Sequence, residues 1–276
     1  MRPFAIIAAA GLGVLITFML GLAWYGMWLD ERDARQWAVS DGYCNIAVVP
    51  IAGTIVAFTG DSLYEDGSEG AVSTSGDWAE RYIRDASYDP SILGIVAEID
   101  SYGGYAAPGY QIMEALQDAQ LPTLAYVREA GISAGYLAAL GADAIIANPF
   151  ASVGSIGITY SYLQNVEQNE REGLEFIQLS SGPFKDSGNP NKPITPAERA
   201  LYERDIRIFN DIFIDLVAAS RGLSHDAVAA LADGSTLPAS LAQEVGLVDA
   251  VGDLTDVRAW FAEELGMSEG GIVLCK

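Results

Sequence analysis

Thr123-Leu-Ala-Tyr-Val-Arg-Glu-Ala-Gly-Ile-Ser-Ala-Gly-Tyr-Leu-Ala-Ala-Leu-Gly-Ala-Asp-Ala-Ile-Ile-Ala147 carries one complete supersecondary unit. It opens on an apolar run, Thr123 to Val127. It then passes through a turn of small residues, Gly131-Ile-Ser-Ala-Gly135, into an Ala-rich helical stretch with Tyr136, Leu137 and Leu140. A second apolar run, Ala144 to Ala147, closes it. Strand, crossover helix and strand make a βαβ unit, which lays its two strands parallel in one sheet.

The same alternation continues outward. Ile46 to Ile51 reads as a buried strand closed by Gly53, and residues 60–76, rich in Gly, Ser, Asp and Glu, as a loop. Trp78 to Ala86 has helical spacing, Ile92 to Ile99 is a strand, and Pro108 to Gln120 returns to helix. Beyond the quoted stretch, Phe176 to Leu179 reads as a strand, and Pro196 to Ser220 and His225 to Ala232 as helices. In the first of these, Leu201, Ile206, Phe209, Ile212, Phe213 and Leu216 are spaced to bury one face. The expected fold class is α/β with a mostly parallel sheet.

Residues 4–29 carry no charge, which is long enough to span a bilayer as a helix of ~20 residues. Trp24, Tyr25 and Trp28 sit at the end of this run, where an aromatic belt meets the head groups. Arg2 precedes it and Asp30, Glu31 and Asp33 follow, which favours the N-terminus inside and the rest outside the cytoplasm. The formal charge is −22, with 37 acidic residues against 15 basic ones. No basic face exists to neutralise phosphates, so a nucleic-acid partner is not expected. Cys44 and Cys275 lack the histidine partners of a zinc site, so no metal is expected. They are read either as a disulfide or as two small hydrophobes.

Gly131-Ile-Ser-Ala-Gly135 satisfies G-x-S-x-G, which presents a serine hydroxyl at a tight strand-to-helix turn. The bland alternative is an N-cap serine. If Ser133 is a nucleophile it needs a base. His225, the one histidine, opens a helix after Ser224 and reads as solvated. Lys276 is the last residue, and Lys192 lies in a polar loop where a solvated charge is expected. That leaves Lys185, in Gly182-Pro-Phe-Lys-Asp186, just after the strand expected at Phe176–Leu179. A lysine acts as base only when neutral, which requires a dry setting, and Phe184 is the neighbour able to supply one. Asp186 is expected to point away. An acyl-transfer site also needs donors for an oxyanion. The N–H groups of Gly103 and Gly104, at the end of a strand, suit that task as well as they suit a flexible connection. Ser152-Val-Gly-Ser-Ile-Gly157 adds two hydroxyls, one of which is placed to orient a lysine amine.

These segments, with Ile194-Thr-Pro-Ala-Glu-Arg199 and Ala242-Gln-Glu-Val-Gly-Leu-Val-Asp249, resemble in their order the signal peptide peptidase A family of serine peptidases, family S49, within the ClpP/crotonase-like fold group. The resemblance implies Ser133 as nucleophile, Lys185 as base, the Gly104 N–H as oxyanion donor and Ser155 as the group holding the lysine. It implies hydrophobic peptide substrates such as signal-peptide remnants, no cofactor, and homo-oligomeric rings or bowls whose neighbours complete a site. Two positions depart from the family pattern, Asp100 and Tyr102, where asparagine and proline are usual. The organisation expected is a membrane anchor at 1–30, a linker at 31–45, a peptidase domain at 46–265 and a C-terminal tail at 266–276, held at the cell's inner membrane with the catalytic part outside. Three rivals stand beside this reading: an α/β-hydrolase using Ser133 and His225, an inactive peptidase-like scaffold, and acyl-CoA chemistry, which export disfavours.

Overall fold

Period-two alternation along the central strands sorts their side chains into two cores. In the computed structural model, which describes residues 19, 21, 39, 40, 42–58 and 72–275, the first half runs β1 (Ile46–Val56), β2 (Ser73–Ser75), α1 (Gly76–Tyr88), β3 (Gly94–Gly104), α2 (Ala106–Asp118), β4 (Thr123–Ile132) and α3 (Ala134–Ala139). The second half runs β5 (Ala144–Ala147), β6 (Ser152–Gly154), α4 (Val166–Arg171), α5 (Pro196–Arg221), α6 (His225–Ala229), β7 (Thr236–Pro238), α7 (Ala239–Glu244), β8 (Ala250–Val251) and α8 (Leu254–Leu265). Almost all of the anchor expected at residues 4–29 lies outside the described residues. Among the described residues, no helix is long and apolar enough to cross a membrane.

The main sheet has the order β2-β1-β3-β4-β5-β8, and each neighbouring pair in it is parallel. Near its upper end β4 leaves β5 and pairs with β6, also parallel, while β6 pairs antiparallel with β7. The expected α/β class with a mostly parallel sheet is what the chain adopts. Val49 and Ile51 of β1, Ile95, Ala97 and Ile99 of β3, and Ala125 and Val127 of β4 face the helices α1, α2 and α3 in one core. The alternate residues Ile46, Val96, Leu124 and Tyr126 face Val257 and Phe261 of α8 in the other.

Residues 267–275 do not trail away as a tail. The Val273 carbonyl accepts from the Asn45 and Ile46 N–H groups, Leu274 bridges to Ile46, and Cys44 is bonded to Cys275. Of the two readings open for the cysteines, the disulfide is the one realised. The strand expected at Phe176–Leu179 does not form. Its composition favours a strand, but no other strand borders it, and a strand needs a ladder. Leu174, Ile177 and Leu179 are left exposed.

Candidate active site

Parallel sheets gather functional groups at the carboxyl ends of their strands, and here the ends of β3, β4 and β6 converge. Ser133 follows β4 directly, with φ 53° and ψ −119°. A non-glycine residue at positive φ costs of order 1–3 kcal/mol and persists only where its surroundings enforce it. The enforcement is visible: its N–H donates to the Gly154 carbonyl at 2.8 Å, and its carbonyl accepts from Leu137 N–H at 2.9 Å. The hydroxyl caps nothing in α3, so the N-cap alternative fails and the Oγ is left to face solvent-accessible space.

The end of β3 lies against this serine. Gly103 has φ 107°, and a Cβ there would fall 2.9 Å from the Ser133 Cβ and 3.3 Å from its Oγ. Only a glycine permits that approach. The Gly103 N–H is already committed, donating to the Ser101 hydroxyl at 3.1 Å, while that hydroxyl donates to the Gly53 carbonyl at 2.6 Å. Gly103 therefore supplies space rather than an oxyanion donor. Gly104 lines the cavity that holds Ser133. Ser101, fully buried, is a supporting residue that the sequence reading missed. Its one signal was a hydroxyl placed where the strand's alternation calls for an apolar residue.

Ser155 follows β6 as Ser133 follows β4, and it too has positive φ, 51°. Its N–H donates to the Ser235 carbonyl and its hydroxyl to the Gly234 carbonyl, both at 2.9 Å. With the proton so directed, the oxygen lone pairs remain as acceptors. Ser155 and Ser133 line one cavity of about 480 Å³. A second cavity at Ser133, of about 490 Å³, is walled by Tyr105, Tyr110, Leu137, Phe209, Phe213 and Leu216.

Lys185 is not brought to this place. Its side chain is exposed in the turn Gly182–Gly188, it lines neither cavity, and among the described residues its ammonium has no hydrogen bond or ion pair. Phe184 is 45% exposed, so the dry setting expected of it is absent within one chain. Asp186 accepts a hydrogen bond from the Ser180 hydroxyl at 2.6 Å, which occupies its carboxylate away from the lysine.

Lys192, expected to be solvated, is instead mostly buried against Glu198, with which it forms an ion pair. Glu198 also accepts from the Thr195 N–H in the capping box that starts α5. The Lys192 hydrogen bond and then the Thr195 N–H hold its carboxyl down at about 2. The polar loop misled because its charge had a capping carboxylate to meet. His225 stands on the first turn of α6 after the capping Ser224, half-exposed and 3.8 Å from Asp215 and from Asp226, as a solvated helix start should.

A family model described as Peptidase family S49 matches residues 115–268. A protein of Methanocaldococcus jannaschii is 28% identical over 191 residues, covering 68% of this chain and 61% of that protein. Protease 4 of Salmonella typhi is 29% identical over 215 residues, covering 76% of this chain and 34% of that one. The chloroplastic serine protease SPPA of Arabidopsis thaliana is 28% identical over 177 residues, 63% of this chain and 26% of that one. The chain thus spans less than two thirds of the length of each of these relatives. Among solved structures, a mutant of the membrane-bound stomatin-specific protease 1510-N with a substrate peptide has a TM-score of 0.49 and 21% identity, covering 78% of this chain and 79% of that one. A ClpP1 mutant of Listeria monocytogenes has a TM-score of 0.45 and 16% identity, covering 75% of this chain and 91% of that one. Since the family model covers more than half of the sequence, from α2 to α8, the chain belongs to peptidase family S49.

Proposed function

We propose that the chain is a serine peptidase in which Ser133 is the nucleophile and Lys185 of a neighbouring copy is the general base. The observation that carries the first half is the Ser133 turn: a strained serine with an uncommitted hydroxyl, pressed against Gly103 and open to two cavities. The second half rests on the exposure of Lys185 within one chain. Docking of a second copy supplies the desolvation that a neutral lysine needs, and the exposed apolar side chains around it mark the surface that docks.

The neutral Lys185 amine takes the Ser133 hydroxyl proton as Oγ attacks the peptide carbonyl, and the oxyanion is met by the Gly104 N–H. The protonated lysine passes its proton to the leaving amine, which departs and leaves an acyl-enzyme. Water, activated by the same amine, then releases the acyl group. Ser155 accepts an N–H of the lysine and fixes its direction, because its own proton is held by the Gly234 carbonyl. The apolar cavity accepts a large hydrophobic side chain, which fits hydrophobic peptides such as remnants of signal peptides. Residues 4–29 anchor the chain in the inner membrane with the catalytic part outside the cytoplasm. The Cys44–Cys275 disulfide supports that placement, since such bonds persist in oxidising compartments.

Purified full-length protein tests the nucleophile. Cleavage of a hydrophobic fluorogenic peptide is expected to fall by at least about a thousandfold in Ser133→Ala, with a serine-directed probe labelling the wild type alone. His225→Ala is expected to retain activity. Full activity in Ser133→Ala removes the assignment, and loss in His225→Ala transfers it to the hydrolase reading.

A further inference from the structure

Ser133 opens onto two cavities, the second more polar than the first, and the hydrophobic substrate side chain accounts for the first. The other is walled by Ser155, Thr159, Asn210, Asp233 and Arg207. Arg207 and Asn210 stand three residues apart on α5, and so share one helix face. Phe209, Ile212 and Phe213 line the apolar cavity, so α5 borders both cavities.

Among the described residues, Arg207 has no ion-pair partner. Among the described arginines, Arg84, Arg128, Arg199, Arg204 and Arg221 each meet a carboxylate, Arg81 and Arg171 donate to backbone carbonyls, and Arg258, like Arg207, has no ion pair. Among the described residues, the Arg207 guanidinium has neither an ion pair nor a hydrogen bond, although it lines this cavity. Arg207 is exposed, and it lines the cavity beside Ser133. Asp233 is the carboxylate in the same wall. It accepts from the Ser235 N–H at 2.8 Å, and the hydrogen bonds from the Ser235 hydroxyl and N–H hold its carboxyl below the usual range. Its charge persists at neutral pH, so a second anion entering the cavity settles on the α5 wall, away from it.

We propose that Arg207, assisted by the Asn210 amide, forms a carboxylate-binding subsite for the substrate peptide. It lies across the scissile bond from the hydrophobic residue in the apolar cavity. The forked guanidinium matches a carboxylate, either the α-carboxylate of a peptide end or an acidic side chain. The subsite rests on the reading of Ser133 as nucleophile, and it makes the enzyme select peptides that are hydrophobic on one side of the cut and anionic on the other.

Fluorescence anisotropy on the full-length Ser133→Ala protein separates the two questions, because binding is read without turnover. Two pairs of labelled peptides share one hydrophobic stretch. The first pair has a free C-terminal acid or its amide, and the second an internal Glu or Gln followed by an amidated end. One pair is expected to show the anionic member binding roughly ten- to a hundredfold tighter, as for hydrogen bonds to a charged group. The acid–amide pair identifies a terminal carboxylate, and the Glu–Gln pair a side chain. The preference is expected to vanish with Arg207→Gln added, to survive in part with Arg207→Lys, and to stay whole with Arg84→Gln. Equal binding within both pairs, or a preference that survives Arg207→Gln, overturns the subsite. Failure of Ser133 as nucleophile shows instead in the cleavage assay on the wild-type chain, and leaves these binding ratios readable.

Discussion

Ser133 and Gly103 define each other. The serine takes a costly φ because β4 must turn sharply into α3, and β3 can close on it only through a residue without a Cβ. Gly103→Ala puts a methyl group 2.9 Å from the Ser133 Cβ and asks an L-residue to hold φ 107°. The expected result is a loss of kcat/KM of at least about a hundredfold from a misplaced nucleophile. The stability cost, read by urea unfolding, is expected to be only about 1–3 kcal/mol. A variant that is stable and also near wild type in kcat/KM would mean that the approach of β3 does not position the serine. Ser101 supports the same junction from below, since its hydroxyl both accepts from Gly103 and donates to Gly53.

At the scale of elements, α5 shows how local chemistry is written in the chain. Thr195, Pro196 and Glu198 start it with a capping box and a proline in the first turn, and Gly222 ends it in the left-handed conformation. Lys192 and Thr195 keep the Glu198 carboxyl at about 2, below its ordinary 4.5. A lowered folded-state value stabilises the fold above the unfolded value, and that stabilisation is lost as pH falls from about 4.5 toward about 2. Wild-type thermal unfolding is expected to shift down across that window, and Glu198→Gln to lack this component of the slope. Equal slopes in the two proteins would mean that the pair does not couple to folding.

The strands and helices of the β1–β5 stretch were legible because hydrophobic period and glycine punctuation agree there with the final packing. Phe176–Leu179 was misread because its residues favour a strand while, among the described residues, no strand lies beside it to pair with. Lys192 was misread because a loop position carries no record of the carboxylate that folding brings to it. Ser133, Gly104 and Ser155 carried a signal in motif and spacing, and folding sets Gly104 and Ser155 each beside a cavity that Ser133 lines. Arg207 and Asn210 carried none, since two polar residues on an amphipathic helix look like its solvated face until folding lays the helix beside Ser133.

At the scale of the whole molecule, the candidate site stands at the carboxyl end of the sheet, and Lys185 does not line it within one chain. Lys185 lies in an exposed segment flanked by Leu174, Ile177, Leu179 and Phe184. Ile208, Phe209 and Ile212 of α5 are exposed as well. Under the proposed shared dyad, this exposed apolar surface is what a second copy covers. At the opposite end, the Cys44–Cys275 bond ties the entry of β1 to the segment that follows α8.

The shared dyad is tested most directly by mixing two inactive proteins, Ser133→Ala and Lys185→Ala, unfolding and reassembling them together, and measuring peptide cleavage. Each variant alone is expected to be inactive. The equal mixture is expected to regain up to about a quarter of wild-type activity, since random neighbours pair an intact serine with an intact lysine at that frequency. A mixture as inactive as its components, or a Lys185→Ala protein active by itself, would contradict a dyad shared between copies.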